Sequence, residues 1–228
     1  VSVEVLAKEM SRNGNKPENR MPFGEKKNDD LSFNHDLRLR DISFRYEQNG
    51  KELLREINFE VKKGECIGIV GESGAGKSTL TNLLLGLVSP SKGAFEVDGH
   101  EIKSAKIQPW QRMIGYVPQE IYLLDDSISR NIAFSVNDTD IDHTQIRKVV
   151  EKAGIHKFID SFDDGLNTKI GERGVRISGG QRQRIGIGRA LYQNPQVLIL
   201  DEASSSLDSK TEQEILNELR KIRGKVTM

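Results

Sequence analysis

Two short stretches hold the residue types that phosphate chemistry needs. The first, GESGAGKS at residues 71–78, fits the pattern G-x-x-x-x-G-K-[ST] and lies between the apolar run CIGIV (66–70) and the run STLTNLLLGLV. Gly71, Gly74 and Gly76, with Ser73 among them, let the backbone wrap closely around an anion with its N–H groups pointing inward. The helix that follows adds its positive N-terminal end. In that setting Lys77 reaches the β- and γ-phosphates of a nucleotide, Ser78 holds Mg²⁺ through its hydroxyl, and Thr79 continues the phosphate-facing turn. Alone, this motif specifies a nucleotide phosphate site and nothing finer.

The second stretch is VLILDE at 197–202. An Asp at the end of a buried strand beside a phosphate loop can coordinate Mg²⁺ through water, which is the part given to Asp201. Glu202, one residue further out, can polarise an attacking water. By itself a strand ending in two solvated acids reads equally well; the phosphate loop gives the pair its chemistry. A third element, ISGGQRQRIGIGRALYQNP at 177–195, joins a Ser-Gly-Gly turn to a basic helix. Ser178 offers a hydroxyl, Gly179 and Gly180 offer unobstructed amides, and the helix N-terminus faces an anion. Most of its arginines read as a solvated basic face.

These residues need a scaffold. LRLRDISFRY and INFEVKKG (57–64) read as antiparallel strands, with Ile57, Phe59 and Val61 alternating. Phe95 and Val97 alternate likewise, and Asp98-Gly99 is a hairpin turn whose central positions tolerate positive φ. CIGIV, MIGYV (113–117) and VLIL (197–200) are continuous apolar strands interspersed with helices, which implies a mostly parallel sheet covered on both faces. The helix after the phosphate loop is expected to run to Ser89-Pro90. Ile146, Val149, Val150 and Ala153 share one helical face, and the segment from about 120 to 178 reads as an inserted α-helical subdomain. Ser209-x-x-Glu212 reads as a capping box opening a last helix that turns Ile215, Leu216, Leu219 and Ile222 inward. The fold class is therefore α/β: a phosphate-loop core, an N-terminal antiparallel β subdomain and a helical insertion.

Bulk composition narrows the partners. The 228 residues hold 34 Lys+Arg and 34 Asp+Glu, so net charge gives no reason to expect nucleic acid. No run approaches the roughly 18 apolar residues of a membrane span, and no signal-peptide pattern opens the chain. The lone cysteine, Cys66, excludes an internal disulfide framework and is expected to be an inert thiol in a buried strand. Residues 11–30 are polar and aperiodic, and residues 1–35 read as a linker. The start at Val1 reads as that of a fragment or a processed product, and if the domain works at a membrane, its membrane part is expected on missing polypeptide.

Taken together, the phosphate loop, the LDE strand end and the ISGGQ turn resemble the ABC ATPases, and the likeness covers roughly Leu37 to Met228. The resemblance implies further roles. Tyr46, in SFRYE, matches the aromatic residue that stacks on adenine. Gln119, in GYVPQE, matches the Q-loop glutamine that senses Mg²⁺ and the attacking water, making it a metal-site and catalytic residue alongside Lys77 and Glu202. Ser205–Asp208 (SSLD) matches the D-loop, placing Asp208 at the nucleotide of a second copy. It also implies two such domains paired head to tail around MgATP, the phosphate loop of one facing the Ser-Gly-Gly turn of the other. TKIGERG at 168–174 resembles the X-loop of ABC exporters, which touches the membrane domain; a charged surface loop is the plainer reading. Finer likeness, in IGYVPQEIYLLDDSISRNIAF and ERGVRISGGQRQRIGIGRALY, is to exporters of lipids and lipid-linked oligosaccharides. A soluble ATPase and a nucleotide-gated assembly module are the alternatives. The location implied is the cytoplasmic face of a membrane.

The sequence departs from the family pattern in two ways. A histidine usually follows the strand after the D-loop helix, whereas Val226-Thr227-Met228 looks like the start of that strand and none of His35, His100, His143 or His156 follows the D-loop. Binding of MgATP with weak hydrolysis is the expectation. In IGIGRAL, Gly186 and Gly188 stand where relatives commonly have Ala, at about 0.8–1.0 kcal/mol each in helix propensity. Close packing against a neighbour at both positions would offset that.

Overall fold

The computed structural model describes residues 31–47, 50–171, 177–202 and 208–228. Its N-terminal part is an antiparallel sheet of β1 (Asp36–Phe44), β2 (Leu54–Lys62), β3 (Lys92–Val97) and β4 (His100–Glu101), in the order β2-β1-β3-β4. Leu37, Leu39, Ile42 and Phe44 of β1 are buried. The alternation breaks between Leu39 and Ile42, where the register shifts and Asp41 takes a positive φ of 48°; the bulge returns Ile42 to the inner face. The β3–β4 turn forms as the sequence predicts, with Asp98 and Gly99 both at positive φ.

Two layers of helix complete the domain. After the phosphate loop comes α1 (Lys77–Leu84), then α2 (Ile107–Arg112). Strand β5 (Ile114–Val117) and β6 (Val197–Leu200) pair in parallel. Between them lie α3 (Ile128–Ile132), α4 (His143–Lys152), α5 (His156–Ile159) and α6 (Gly179–Tyr192); α7 (Ser209–Lys221) follows β6. The expected helical insertion is present, and the described part of 120–178 contains no assigned strand. It is fastened by Arg189, which donates to the carbonyls of Asn131 and Tyr122 at 2.9 and 2.8 Å and lies 4.6 Å over the Phe134 ring.

The two halves meet at Trp110, fully buried on α2. Its Nε1 donates to Leu84 O at 2.7 Å, and Phe33 and Phe95 meet its ring edge-on. Phe33 and Leu31 are both buried, so packing reaches into the end of the stretch expected to be linker. The entry is fixed by Asp98, whose carboxylate accepts the N–H groups of Asn34, His35 and Asp36 at 2.5, 2.8 and 3.1 Å.

Four expectations need correction. CIGIV is not assigned as a strand, and Cys66 is exposed, as are Ile67, Ile69 and Val70, the last at 94%. Its backbone pairing is with Met228, whose N–H donates to Glu65 O and whose carbonyl accepts from Ile67 N. A continuous apolar run is buried only where a neighbour covers it. Second, α1 ends at Leu84, where Gly86 turns the chain at φ 67°. Third, α7 is capped by Asp208, which accepts from Thr211 N, so Ser209 is the first helical residue and not the cap. Fourth, Ile215, Leu219 and Ile222 point inward but Leu216 is 40% exposed.

The glycines of α6 divide. A Cβ on Gly186 would lie 2.2 Å from Ile121 Cδ1, a forced close approach. One on Gly188 would sit 3.4–3.6 Å from Val149, Ile155 and Ile132, which is ordinary contact. Gly188→Ala should therefore raise stability in urea by about 1 kcal/mol, while Gly186→Ala should lower it; a gain from both would refute the packing account. A second expected outcome concerns pH. Burial opposes charge on Asp98, but the three amides and nearby His35 outweigh it and hold its carboxyl below the usual range. A carboxyl with a depressed folded pKa stabilises above its unfolded value, about 3.9, and loses that contribution as pH falls through the folded value. Asp98→Asn, which keeps the positive-φ turn, should lower the unfolding midpoint at pH 7 and narrow the gap to wild type as pH drops below about 4.

Candidate functional site

The phosphate loop hangs from the end of 66–70 and closes on itself. Ala75 N–H donates to Glu72 O at 3.1 Å, and Lys77 Nζ donates to Gly71 O and Glu72 O at 2.8 and 3.0 Å. Gly76, the residue before α1, has φ 93°, and a Cβ there would meet Leu54 Cδ2 at 2.9 Å and Leu53 O at 3.1 Å. Only glycine satisfies both conditions. Gly71, Ser73, Gly74 and Ser78 are exposed, whereas Thr79 is buried at the base of α1. The loop is thus largely exposed, with the Lys77 ammonium resting on two of its carbonyls, and no acidic residue occupies the first turn of α1. That is the arrangement an incoming polyphosphate requires.

The parallel register of β5 and β6 sets Val117 beside Leu200, and Asp201 N–H donates to Val117 O at 2.9 Å. The chains leaving these two strands then converge. Gln119 Nε2 donates to Glu202 Oε2 at 2.8 Å, and Tyr116 Oη donates to Asp201 Oδ2 at 3.4 Å. Burial, followed by the charge and hydrogen bond of Asp201, pushes the Tyr116 phenol above its ordinary pKa, so it remains the donor. Glu202 itself sits at φ 45°, a left-handed conformation uncommon for a residue with a Cβ. Ser78 hydroxyl, Asp201 carboxylate and Gln119 carbonyl are hard oxygen donors. They are too few for a cage and suit Mg²⁺, which keeps waters and takes its remaining ligands from phosphate.

The Ser178 turn is preorganised by a reciprocal cap: Gln181 N–H donates to Ser178 Oγ at 3.3 Å, and Gln181 Oε1 accepts from Ser178 N–H at 2.8 Å. Gly179 is exposed and Gly180 is buried against α7, where a Cβ would come 2.3 Å from Thr211 Cγ2. Asp208, at the head of α7, is held below the usual carboxylate range by hydrogen bonds from the Thr211 side chain and N–H. Tyr46 is 61% exposed, its ring edge-on to Phe44 with centroids 4.9 Å apart. Residues 172–174 of the X-loop match and 205–207 of the D-loop match lie outside the described residues. Sequence reasoning passed over Tyr116; its neighbour in GYVPQ drew the attention, and its partner lies 85 residues away.

A profile of the family described as "ABC transporter" matches residues 54–205. The chain belongs to the ABC transporter family. This ABC domain is 39% identical over 195 residues to the "ATP-dependent lipid A-core flippase" of Ralstonia nicotianae, an alignment covering 85% of the chain and 33% of that protein. It is 44% identical over 187 residues to the "Leukotoxin translocation ATP-binding protein LktB" of Mannheimia glucosida, covering 82% of the chain and 26% of that protein. A solved structure, that of a bacterial Atm1-family ABC exporter with ATP bound, superposes with a TM-score of 0.77 at 35% identity, over 86% of the chain and 34% of the other. The chain thus spans about a third or less of the length of the curated relatives it matches.

The Gly180–Thr211 contact yields a test independent of ligand. Gly180→Ala should cost about 1–3 kcal/mol in urea unfolding by forcing the heads of α6 and α7 apart. Adding Thr211→Ser, which deletes the obstructing methyl, should recover most of that loss. No recovery would show that the two helices are not in contact there.

Proposed function

We propose that this domain binds MgATP and hydrolyses it to drive export through a membrane domain. The observation that carries the reading is the 2.8 Å contact between Gln119 and Glu202, made at the ends of adjacent parallel strands. Lys77 leaves the Gly71 and Glu72 carbonyls to neutralise the β- and γ-phosphate oxygens, and the loop amides with the head of α1 hold the rest of the chain of phosphates. Glu202 accepts a hydrogen bond from the attacking water and draws off its proton as the water oxygen bonds to the γ-phosphorus and the bond to the β–γ bridging oxygen breaks, ADP leaving with that oxygen; Gln119 fixes the carboxylate. Ser78, Gln119 and, through water, Asp201 would hold Mg²⁺, which would supply charge to offset the phosphates. Tyr46, exposed beyond β1, takes the adenine face.

The second half of the site is a second copy. Ser178 Oγ and the amides of Gly179 and Gly180 stand at the head of a 14-residue helix, suited to the γ-phosphate of ATP held by the opposite copy, with Asp208 reaching the same interface. Coupling to a membrane domain is supported by two exposed aromatics, Tyr122 at 60% and Phe134 at 47%, brought to one arginine: Arg189 donates to the Tyr122 carbonyl and lies over the Phe134 ring. No helix among the described residues is long and apolar enough to cross a membrane, so that domain is separate polypeptide or a separate part of the same one. The likeness to a lipid A-core flippase and to LktB supports a lipid-like or peptide cargo at the cytoplasmic face of a membrane.

The deciding measurement is MgATP binding and steady-state turnover of three proteins. Wild type should bind MgATP with low turnover. Lys77→Ala should lose roughly 10- to 100-fold in affinity, the worth of a charge-assisted contact. Glu202→Gln should bind as wild type yet lose about 100-fold or more in turnover. Equal turnover in wild type and Glu202→Gln would remove Glu202 from the chemistry, and binding insensitive to Lys77 would sink the site itself.

A further inference from the structure

The end of β5 holds the end of β6 at three points. Val117 O accepts Asp201 N–H at 2.9 Å, Gln119 Nε2 donates to Glu202 Oε2 at 2.8 Å, and Tyr116 Oη donates to Asp201 Oδ2 at 3.4 Å. The first contact is a rung of the ladder and fixes the Asp201 backbone. It leaves the carboxylate free to turn about its terminal torsion, which is broad and roughly two-fold. The third contact is the one described here that restrains that torsion, and it comes from a residue with no role so far. Tyr116 is well suited to the task. It stands in the parallel register opposite Ile199, two residues before Asp201, and its half-buried ring has few rotors to immobilise.

We infer that Tyr116 is a positioning residue for Asp201, orienting its carboxylate for the Mg²⁺ of bound nucleotide and so setting metal affinity. This rests on the MgATP reading given above. Hydrogen-bond partners of metal ligands typically govern affinity by about 10–100-fold; a contact at 3.4 Å belongs at the low end of that range. The same geometry gives the end of β5 and the loop after it a hold on both carboxylates. Tyr116 sets Asp201 and Gln119 sets Glu202, so a displacement of residues 116–119 is felt at metal and base together.

The test uses the 228-residue chain and Mn²⁺ as a paramagnetic probe. Mn²⁺ affinity in the presence of a non-hydrolysable ATP analogue is read by electron paramagnetic resonance for wild type, Tyr116→Phe and Asp201→Asn. Binding of the analogue in EDTA and the thermal midpoint are read in parallel. Tyr116→Phe keeps the ring and deletes only the hydroxyl. The expected result is about tenfold weaker Mn²⁺ binding, with metal-free nucleotide binding and thermal midpoint at wild-type values. Unchanged Mn²⁺ affinity in Tyr116→Phe, with loss in Asp201→Asn, would overturn the proposal and leave the MgATP reading standing. An equal loss of analogue binding in EDTA would also overturn it, because the tyrosine would then act through the fold. A wild-type chain that holds no Mn²⁺ with the analogue would overturn the MgATP reading and this proposal with it.

Discussion

The N–H of Asp201 donates to the carbonyl of Val117 at 2.9 Å, extending a ladder that pairs Ile114–Val117 with Val197–Leu200 in parallel. Parallel strands both end at the same edge of their sheet, so the residues leaving them emerge side by side. That is why Gln119 and Glu202, 83 positions apart in sequence, stand 2.8 Å apart. An acidic pair on a lone loop would be solvated and mobile. Here the ladder fixes their roots to within the tolerance of a hydrogen bond, and the loop after β5 sets their orientation.

The ladder is itself held because β6 faces two cores. Val197 packs with Leu39, Phe95 and Trp110 in the core of the β subdomain; Leu198, its neighbour, packs with Ile128, Ile185 and Ile187 in the helical core. Ile199 and Leu200 repeat that division. Successive side chains of a strand point to opposite faces, so a strand buried on both faces must be apolar at every position, as VLIL is. The same alternation makes β6 the common wall of the domain: a shift in either core is felt at Asp201. Trp110 extends the linkage to the phosphate loop, because its bond to Leu84 O fixes the far end of the helix whose head is Lys77.

Much of this was legible in the sequence, for physical reasons that also mark where legibility stops. The phosphate loop, VLIL and IGYV depend on local patterns, and Gly76 is where the pattern demands it, at φ 93° with Leu53 O close by. The Asp98-Gly99 turn is equally local. CIGIV departs from its pattern because burial is a property of neighbours: the same apolar run is a core strand when flanked on both sides and exposed where no neighbour covers it. The capping error at α7 is a slip of one residue, since Asp208 and Ser209 are both good caps and only the backbone geometry selects between them. Gly186 and Gly188 look identical in sequence, yet a Cβ at one would collide with Ile121 and at the other would make ordinary contact with Val149, Ile155 and Ile132. Tyr116 carried no signal because its role exists only once β5 lies beside β6.

The heads of α6 and α7 show how a short motif acquires a mechanical meaning from its surroundings. Gly180 cannot carry a side chain because Thr211 occupies the space, and four residues along, Arg184 donates to Glu214 at 2.6 Å and to Gly154 O at 3.0 Å. The two helices are thereby clamped at two levels, one steric and one ionic, with the turn before α5 as a third party. Ser178 at one head and Asp208 at the other each spend their side chain on their own helix, as caps. A residue occupied in this way is rigid before any partner arrives, which reduces the entropy lost on association. The steric clamp also couples the two heads: in the head-to-tail pairing proposed above, Ser178 and Asp208 would advance toward a facing copy together, because Gly180 leaves no room for α6 and α7 to shift independently.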